Sequence, residues 1–123
     1  MNDLTLIIPA KNESESLPQV INSLKNLGCK IKVSLKSDDK ETIDSIKNKD
    51  IEIFYQSGKG YGNSLREAIS DCKTTYFCIF NADGSFDQED LSKMYKLVQV
   101  NDFIYTTRYE NKGGSEDDTI ITF

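Results

Sequence analysis

Carboxylates, amides and lysines gather in this sequence where apolar runs stop. The sharpest case is Asn81-Ala82-Asp83, which follows Tyr76-Phe77-Cys78-Ile79-Phe80 and precedes Gly84-Ser85. At the end of a strand, residues 81 and 83 project to the same side, so an amide oxygen and a carboxylate can share one ligand. Both are hard donors, suited to a magnesium or manganese ion that bridges a diphosphate. A local reading stands beside this one. Asp83-Gly84 is then a turn, and Ser85 or Asp87 caps the helix that follows.

Four further stretches have the same character: Pro9-Ala10-Lys11-Asn12-Glu13, Lys36-Ser37-Asp38-Asp39, Gln56-Ser57-Gly58-Lys59-Gly60-Tyr61-Gly62 and Thr107-Arg108-Tyr109. Each has a plain structural reading as well. Pro9 can simply end a strand, and Asp38-Asp39 reads best as acids favoured at a helix N-terminus by the dipole. The glycine-rich stretch matches neither the P-loop spacing nor G-x-G-x-x-G. Its functional reading is a loop that lets backbone approach a ligand, with Lys59 supplying positive charge. Arg108 can be an ordinary surface arginine.

The elements that must position these loops follow from hydrophobic periodicity. Leu4–Ile8, Ile31–Leu35, Ile51–Tyr55, Tyr76–Phe80 and Phe103–Tyr105 read as strands. Tyr76–Phe80, apolar on both faces, is expected at the centre of the sheet. Leu17, Val20, Ile21, Leu24 and Leu27 fall at helical spacing, with Ser14 or Ser16 as cap, Pro18 in the first turn and Gly28 at the end. Further helices are expected over Asp39–Lys47, around Leu65–Cys72, and after Asp87 with Leu91, Met94, Tyr95 and Val98 inward. The order βαβαβαβαβ predicts an α/β fold: one domain over residues 1–123 with a mostly parallel sheet and helices on both faces. In such a sheet ligands collect beyond the carboxyl ends of the strands, which is where all five polar stretches fall.

Composition narrows the chemistry. The 123 residues carry 15 basic and 20 acidic side chains, a net charge of -5, which argues against a nucleic-acid partner. With no histidine, neither a histidine base nor a histidine metal ligand is available. The three cysteines, Cys29, Cys72 and Cys78, form no C-x-x-C pair and are read as buried reduced thiols of a cytosolic protein. No stretch reaches the roughly 18 apolar residues of a membrane span. Residues 109–118 are polar and glycine-rich, and Thr119–Phe123 turns apolar as the chain stops, which reads as truncation.

Taken in order, "LTLIIPAKNESESLPQVINSL", "GKGYGNSLREAI", "FNADGSFDQEDL" and "FIYTTRYENKGGS" resemble the amino-terminal part of family 2 glycosyltransferases with a Rossmann-like GT-A fold. The resemblance is strongest to the dolichol-phosphate mannosyltransferase-like, polyprenyl-phosphate sugar transferase branch. It implies a nucleotide-diphospho-sugar-binding domain whose acceptor-binding part lies further along the chain. Pro9, Ala10, Asn12 and Glu13 match the loop that holds base and ribose. Lys59 and Gly60 match a loop lying against the nucleotide. Asn81-Ala82-Asp83 matches the Asp-x-Asp element, with Asp83 as principal metal carboxylate, Asn81 as second ligand and Ser85 contributing to the shell. Arg108 matches an arginine near the phosphates.

The implied partners are a UDP- or GDP-sugar donor, a magnesium or manganese ion and an acceptor such as a polyprenyl phosphate. The implied location is the cytoplasm or the cytoplasmic face of a membrane. Self-association is left open, and no catalytic base is nominated. Two departures from the family pattern matter. The acids after the second strand are displaced, so that Asp38 stands in for the base-contacting acid, and Asn81 replaces the first aspartate. These departures support an alternative function, a non-catalytic sugar-nucleotide-binding or regulatory module. A sugar nucleotidyltransferase ranks lower, because the loop after the first strand lacks the glycine-rich, arginine-bearing form such enzymes use.

Overall fold

The computed structural model describes residues 1–107, and Arg108 lies outside them. Two compact units divide at Gln88. The first carries a four-stranded, all-parallel sheet: β1 (Leu4–Pro9), β2 (Lys30–Leu35), β3 (Glu52–Tyr55) and β4 (Tyr76–Ile79), in the spatial order β3-β2-β1-β4. Between them run α1 (Leu17–Leu24), α2 (Lys40–Ile46) and α3 (Tyr61–Ser70). The crossovers from β1 to β2 and from β2 to β3 step one way along the sheet, and the return through α3 to β4 steps the other way. The strand order therefore reverses between β1 and β4, which in open α/β sheets marks the ligand crevice.

Strand alternation assigns the two faces. Lys32 and Ser34 of β2 reach Asp71, the C-cap of α3, and Ser64 within it. The intervening Ile31, Val33 and Leu35 are buried toward the opposite face, where right-handed crossovers put α1 and α2. The core is Leu4, Leu6 and Ile8 of β1 with Leu17, Val20, Ile21 and Leu24 of α1, all buried. Pro9 sits at the end of β1, where a missing N–H costs the ladder nothing further. Gly28 closes the turn after α1 with φ +72°, the left-handed conformation expected of a terminating glycine.

Three expectations change. β4 is an edge strand among the described residues, because it pairs only with β1, and Phe77 is 49% exposed. No residue of β4 is fully buried, so apolar residues on both faces of a strand mark neither burial nor a central place in the ladder among the described residues. Phe103–Tyr105 is no strand: Phe103 and Tyr105 are each 77% exposed, with ring centroids 6.0 Å apart. A strand exists through its ladder partner, and three apolar residues do not supply one. The cysteines are free thiols but only part-buried; burial still pushes Cys78 up to about 11. In the second unit, α4 (Gln88–Val98) carries Glu89 and Asp90 in its first turn, as the dipole favours, and buries Leu91.

Candidate functional site

The strand ends are carried into the loops by continued ladder bonds. Ala10 N–H donates to Ser34 O at 2.9 Å, Gln56 N–H to Leu35 O at 3.0 Å, and Phe80 N–H to Ile7 O at 2.9 Å. The loops after all four strands thus leave the sheet in register. They enclose one cleft of about 920 Å³, within the ~300–1,000 Å³ range of small-molecule sites.

Of the residues nominated from the sequence, Pro9, Ala10, Asn12, Glu13, Asp38, Gly60, Asn81, Ala82 and Asp83 line this cleft. Lys59 and Ser85 do not line it. The Lys59 carbonyl accepts from Asn63 Nδ2 at 2.7 Å, a bond that belongs to the turn into α3. Ser85 stands beside the cleft wall. Its N–H donates to Asp83 Oδ1 at 2.9 Å, and its Oγ accepts from Asn81 Nδ2 at 3.2 Å. Gly84 has φ +81°, so Asp83-Gly84 is indeed a turn, and the carboxylate at its start orders that turn. The two readings of this stretch are compatible, since one carboxylate shapes the turn while lining the cleft.

Lys11, Lys36, Asp39, Lys40, Tyr61 and Ser64 also line the cleft and were not nominated. Lys11 and Lys36 stand inside stretches already marked as polar loops and Lys40 opens α2, and the sequence gives no sign of which way each points. Lys11, Lys36 and Lys40 are the cleft's cations among the described residues.

Each loop is fastened by a polar side chain from a helix. At α1, Ser16 occupies the cap position but makes no capping bond; its hydroxyl lies 2.8 Å from Glu13 Oε2 and 2.8 Å from Ala82 O, joining the first loop to the fourth. At α2, Asp39 caps Thr42 N–H and also accepts from Asn12 N–H at 2.9 Å. Burial would raise the Asp39 carboxyl, but the bonds donated by Asn12 and Thr42 outweigh it and hold the group below the ordinary aspartate range. At α3, Glu67 accepts from Ser57 Oγ at 2.8 Å, Ser57 N–H at 2.8 Å and Gly58 N–H at 3.0 Å, and these bonds lower its carboxyl. A helix residue holding a loop ten positions earlier has no sequence signature, so Glu67 was missed.

The N-terminus of α3 opens on the cleft through Gly60, Tyr61 and Ser64. Gly60 holds φ +88°, which a residue with a Cβ rarely adopts. The helix has no side-chain cap and no acid in its first turn. Its first amides lack intrahelical partners and carry the positive end of the dipole.

The donor set at residues 81–85 is one carboxylate, one amide and one hydroxyl: the amide bonds the hydroxyl, and the carboxylate bonds the backbone N–H of the same serine. Among the described residues no three acids, cysteines or histidines gather to hold an ion alone. A set this poor in charge fits a hard divalent cation that takes the rest of its shell from phosphate and water.

The Glycosyl transferase family 2 profile matches residues 5–122. Proteins named uncharacterized glycosyltransferase, one in Mycobacterium bovis and one in each of two strains of Mycobacterium tuberculosis, are 26% identical over 91 residues. That alignment covers 74% of this chain and 41% of each relative, so the matched stretch is under half the length of those proteins. No helix among the described residues is long and apolar enough to cross a membrane.

Proposed function

Because the chain belongs to glycosyl transferase family 2, we propose that its cleft binds a nucleoside-diphosphate sugar and that the chain is the donor-binding part of an enzyme that passes the sugar to an acceptor. The observation that carries this reading is the convergence of the loops after β1, β2, β3 and β4 on one cleft at the point of strand reversal. Base and ribose lie against Pro9, Ala10, Asn12, Glu13 and Asp38. The diphosphate lies between the first amides of α3 and Asp83, where the helix dipole favours negative charge. Lys11, Lys36 and Lys40 add positive charge, the part first given to Lys59; Arg108 is proposed for the same role on the strength of its place in the resemblance.

Magnesium or manganese, held by Asp83 with Asn81 and Ser85, would neutralise charge on the diphosphate as it leaves. The chain's own contribution is to orient the leaving group and keep its oxygens near fixed donors. The nucleotide is UDP or GDP. The acceptor we favour is a polyprenyl phosphate, as in the dolichol-phosphate mannosyltransferase-like branch; a phosphate acceptor can itself be the nucleophile, so these residues need no base of their own. A second reading, a sugar-nucleotide-binding module without turnover, draws support from Asn81 in the metal set and from Lys59 lying off the cleft wall.

Calorimetric titration with UDP and GDP, with and without manganese, tests the proposal. Binding of one nucleotide is expected to tighten with manganese, and Asp83→Ala is expected to weaken the manganese-supported binding by about 100-fold, in keeping with loss of a charged, substrate-bridging ligand. The reading is overturned if neither nucleotide binds the wild type.

A further inference from the structure

Asp39 stands where the first two loops of the cleft meet. Its Oδ2 accepts from Asn12 N–H at 2.9 Å and its Oδ1 from Thr42 N–H at 3.4 Å, while Thr42 Oγ1 accepts from Glu13 N–H at 3.1 Å. Two successive amides of the first loop are therefore bound by two residues at the start of α2. Asn12, at the centre of this arrangement, has φ +55°, and no other non-glycine residue among those described has a positive φ. Residues with a Cβ avoid that region, and one held there persists where its surroundings over-determine it. Asparagine tolerates it better than most, and the Asp39 bond supplies the rest.

The amides of Asn12 and Thr42, from two different loops, converge on one point, and converging backbone amides favour an anion there. Here the protein's own carboxylate is that anion. Both Asp39 oxygens are committed to backbone amides although the residue lines the cleft, and the exposed acid of the second loop is Asp38. We propose that Asp39 is a positioning residue of the donor cleft: it holds Asn12 in the left-handed conformation and locks the loops after β1 and β2 into one preformed wall, without touching the nucleotide. This inference rests on the donor-cleft reading above. A preformed wall spares the ligand the cost of ordering two loops, which is how a residue out of contact raises affinity.

Asp39→Ser separates latch from cap. Serine caps helices about as well as aspartate, but its shorter side chain cannot bond Thr42 N–H and Asn12 N–H together. Three readouts decide the matter: melting temperature, the amide NMR signals of Asn12 and Glu13 against pH, and titration with UDP and GDP. The charged groups facing the same cleft from these loops are Lys11, Glu13, Lys36, Asp38, Lys40 and Glu41, so the pH series is compared with the variant and not read alone. In the wild type the Asn12 amide is expected to shift with a midpoint below the ordinary aspartate range. In the variant that response disappears, melting stays within about 3 °C, and the nucleotide Kd rises roughly tenfold. The proposal is overturned by an Asn12 amide in the wild type that ignores acid titration, or by a variant that has lost the response yet binds nucleotide as tightly as before. The amide readout is taken on the wild type and holds whether or not the variant folds. It also decides the latch if neither nucleotide binds, an outcome that overturns the donor reading alone.

Discussion

Polar side chains concentrate at two places in the first unit, one at each end of α3, and they are used in opposite ways. At the C-terminal end, Lys32 is 2% exposed in the middle of β2. Its ammonium lies 2.7 Å from Asp71 Oδ2 and 3.4 Å from Glu52 Oε1, and 5.4 Å from the centre of the Phe54 ring. Nearby, the Thr5 and Thr74 hydroxyls are 2.6 Å apart, and Thr74 Oγ1 also donates to Tyr76 O. Side chains there complete one another. At the N-terminal end, side chains are spent on loop backbone: Asp39 on Asn12, Glu67 on Ser57 and Gly58, Ser16 on Ala82. The loops so held then turn other groups into the cleft. Polarity closed on itself stabilises; polarity that shapes backbone around an opening prepares a site.

The comparison breaks most visibly if removing Lys32 harms binding more than folding. Lys32→Ala removes a buried stem and leaves Asp71 and Glu52 without their cation. The expected loss is about 3 kcal/mol of stability, read from urea unfolding, with nucleotide affinity per folded molecule unchanged. Unchanged stability would show that the cluster does not stabilise the fold, and a lost nucleotide site in a variant that still folds would show that cluster and cleft are not separate in function.

A pH series sharpens the same contrast. Burial opposes the charge on Lys32, but the bond to Asp71 and the field of Glu52 outweigh it, so its folded pKa lies above the ordinary 10.5. Its contribution is therefore complete below that value and lost as pH rises through the raised one. Cys78 follows the same sign: burial raises it from 9.0 to about 11, so its share begins to fade once the unfolded thiol ionises above 9.0. Asp71 is held below its ordinary 3.8 by Lys32, so its share is complete above 3.8 and lost as pH falls through the lowered value. The unfolding midpoint should vary least above 4.5, where the share of Glu67 is also complete, and below the region under 9.0 in which Cys72, its burial outweighed by the bonds of Thr74 and Thr5, ionises in the folded state. In Lys32→Ala the steep alkaline limb should shrink to the part of Cys78 and Cys29, both raised from 9.0 by burial. An alkaline limb that survives intact would exclude Lys32 as its source.

How much of this was legible in the sequence depended on whether the signal was local. The strands β1 to β4 and helices α1 to α4 follow from periodicity carried by neighbouring residues, as with Leu17, Val20, Ile21 and Leu24. The loops of the cleft were legible because polar stretches follow apolar runs. Partners far apart in sequence were not. Asp39 read as a helix acid, which it is, yet its second bond goes to a residue 27 positions away. Lys59 sits among glycines in a loop that lets backbone approach a ligand, yet the residues of that loop that line the cleft are Gln56, Gly60 and Tyr61. Nothing local marks Lys32, in an otherwise apolar strand, as a core residue; its partner Asp71 lies 39 residues on. Phe103–Tyr105 failed for the same reason, since a strand is a statement about a neighbour.

The smallest expected effect falls on Asn81, and its sign is informative. Asn81 and Ser85 share a hydrogen bond of 3.2 Å beside the Asp83 carboxylate. In Asn81→Asp the serine hydroxyl can donate instead, so the pair survives, and stability should change by less than about 0.5 kcal/mol. The added charge acts in two directions. Without a divalent ion, a second carboxylate next to Asp83 repels the anionic nucleotide, and affinity should fall a few-fold. With manganese, two carboxylates hold the ion better than a carboxylate and an amide, and affinity should rise by about fivefold to tenfold, near 1 kcal/mol. The ratio of affinities with and without manganese is thus the quantity to measure. A ratio that grows places a cation at residues 81–85 and marks Asn81 as a weakened ligand. An unchanged ratio would take the metal away from this turn and leave Asp83 to the turn alone, making the polarity of this loop closed like that around Lys32.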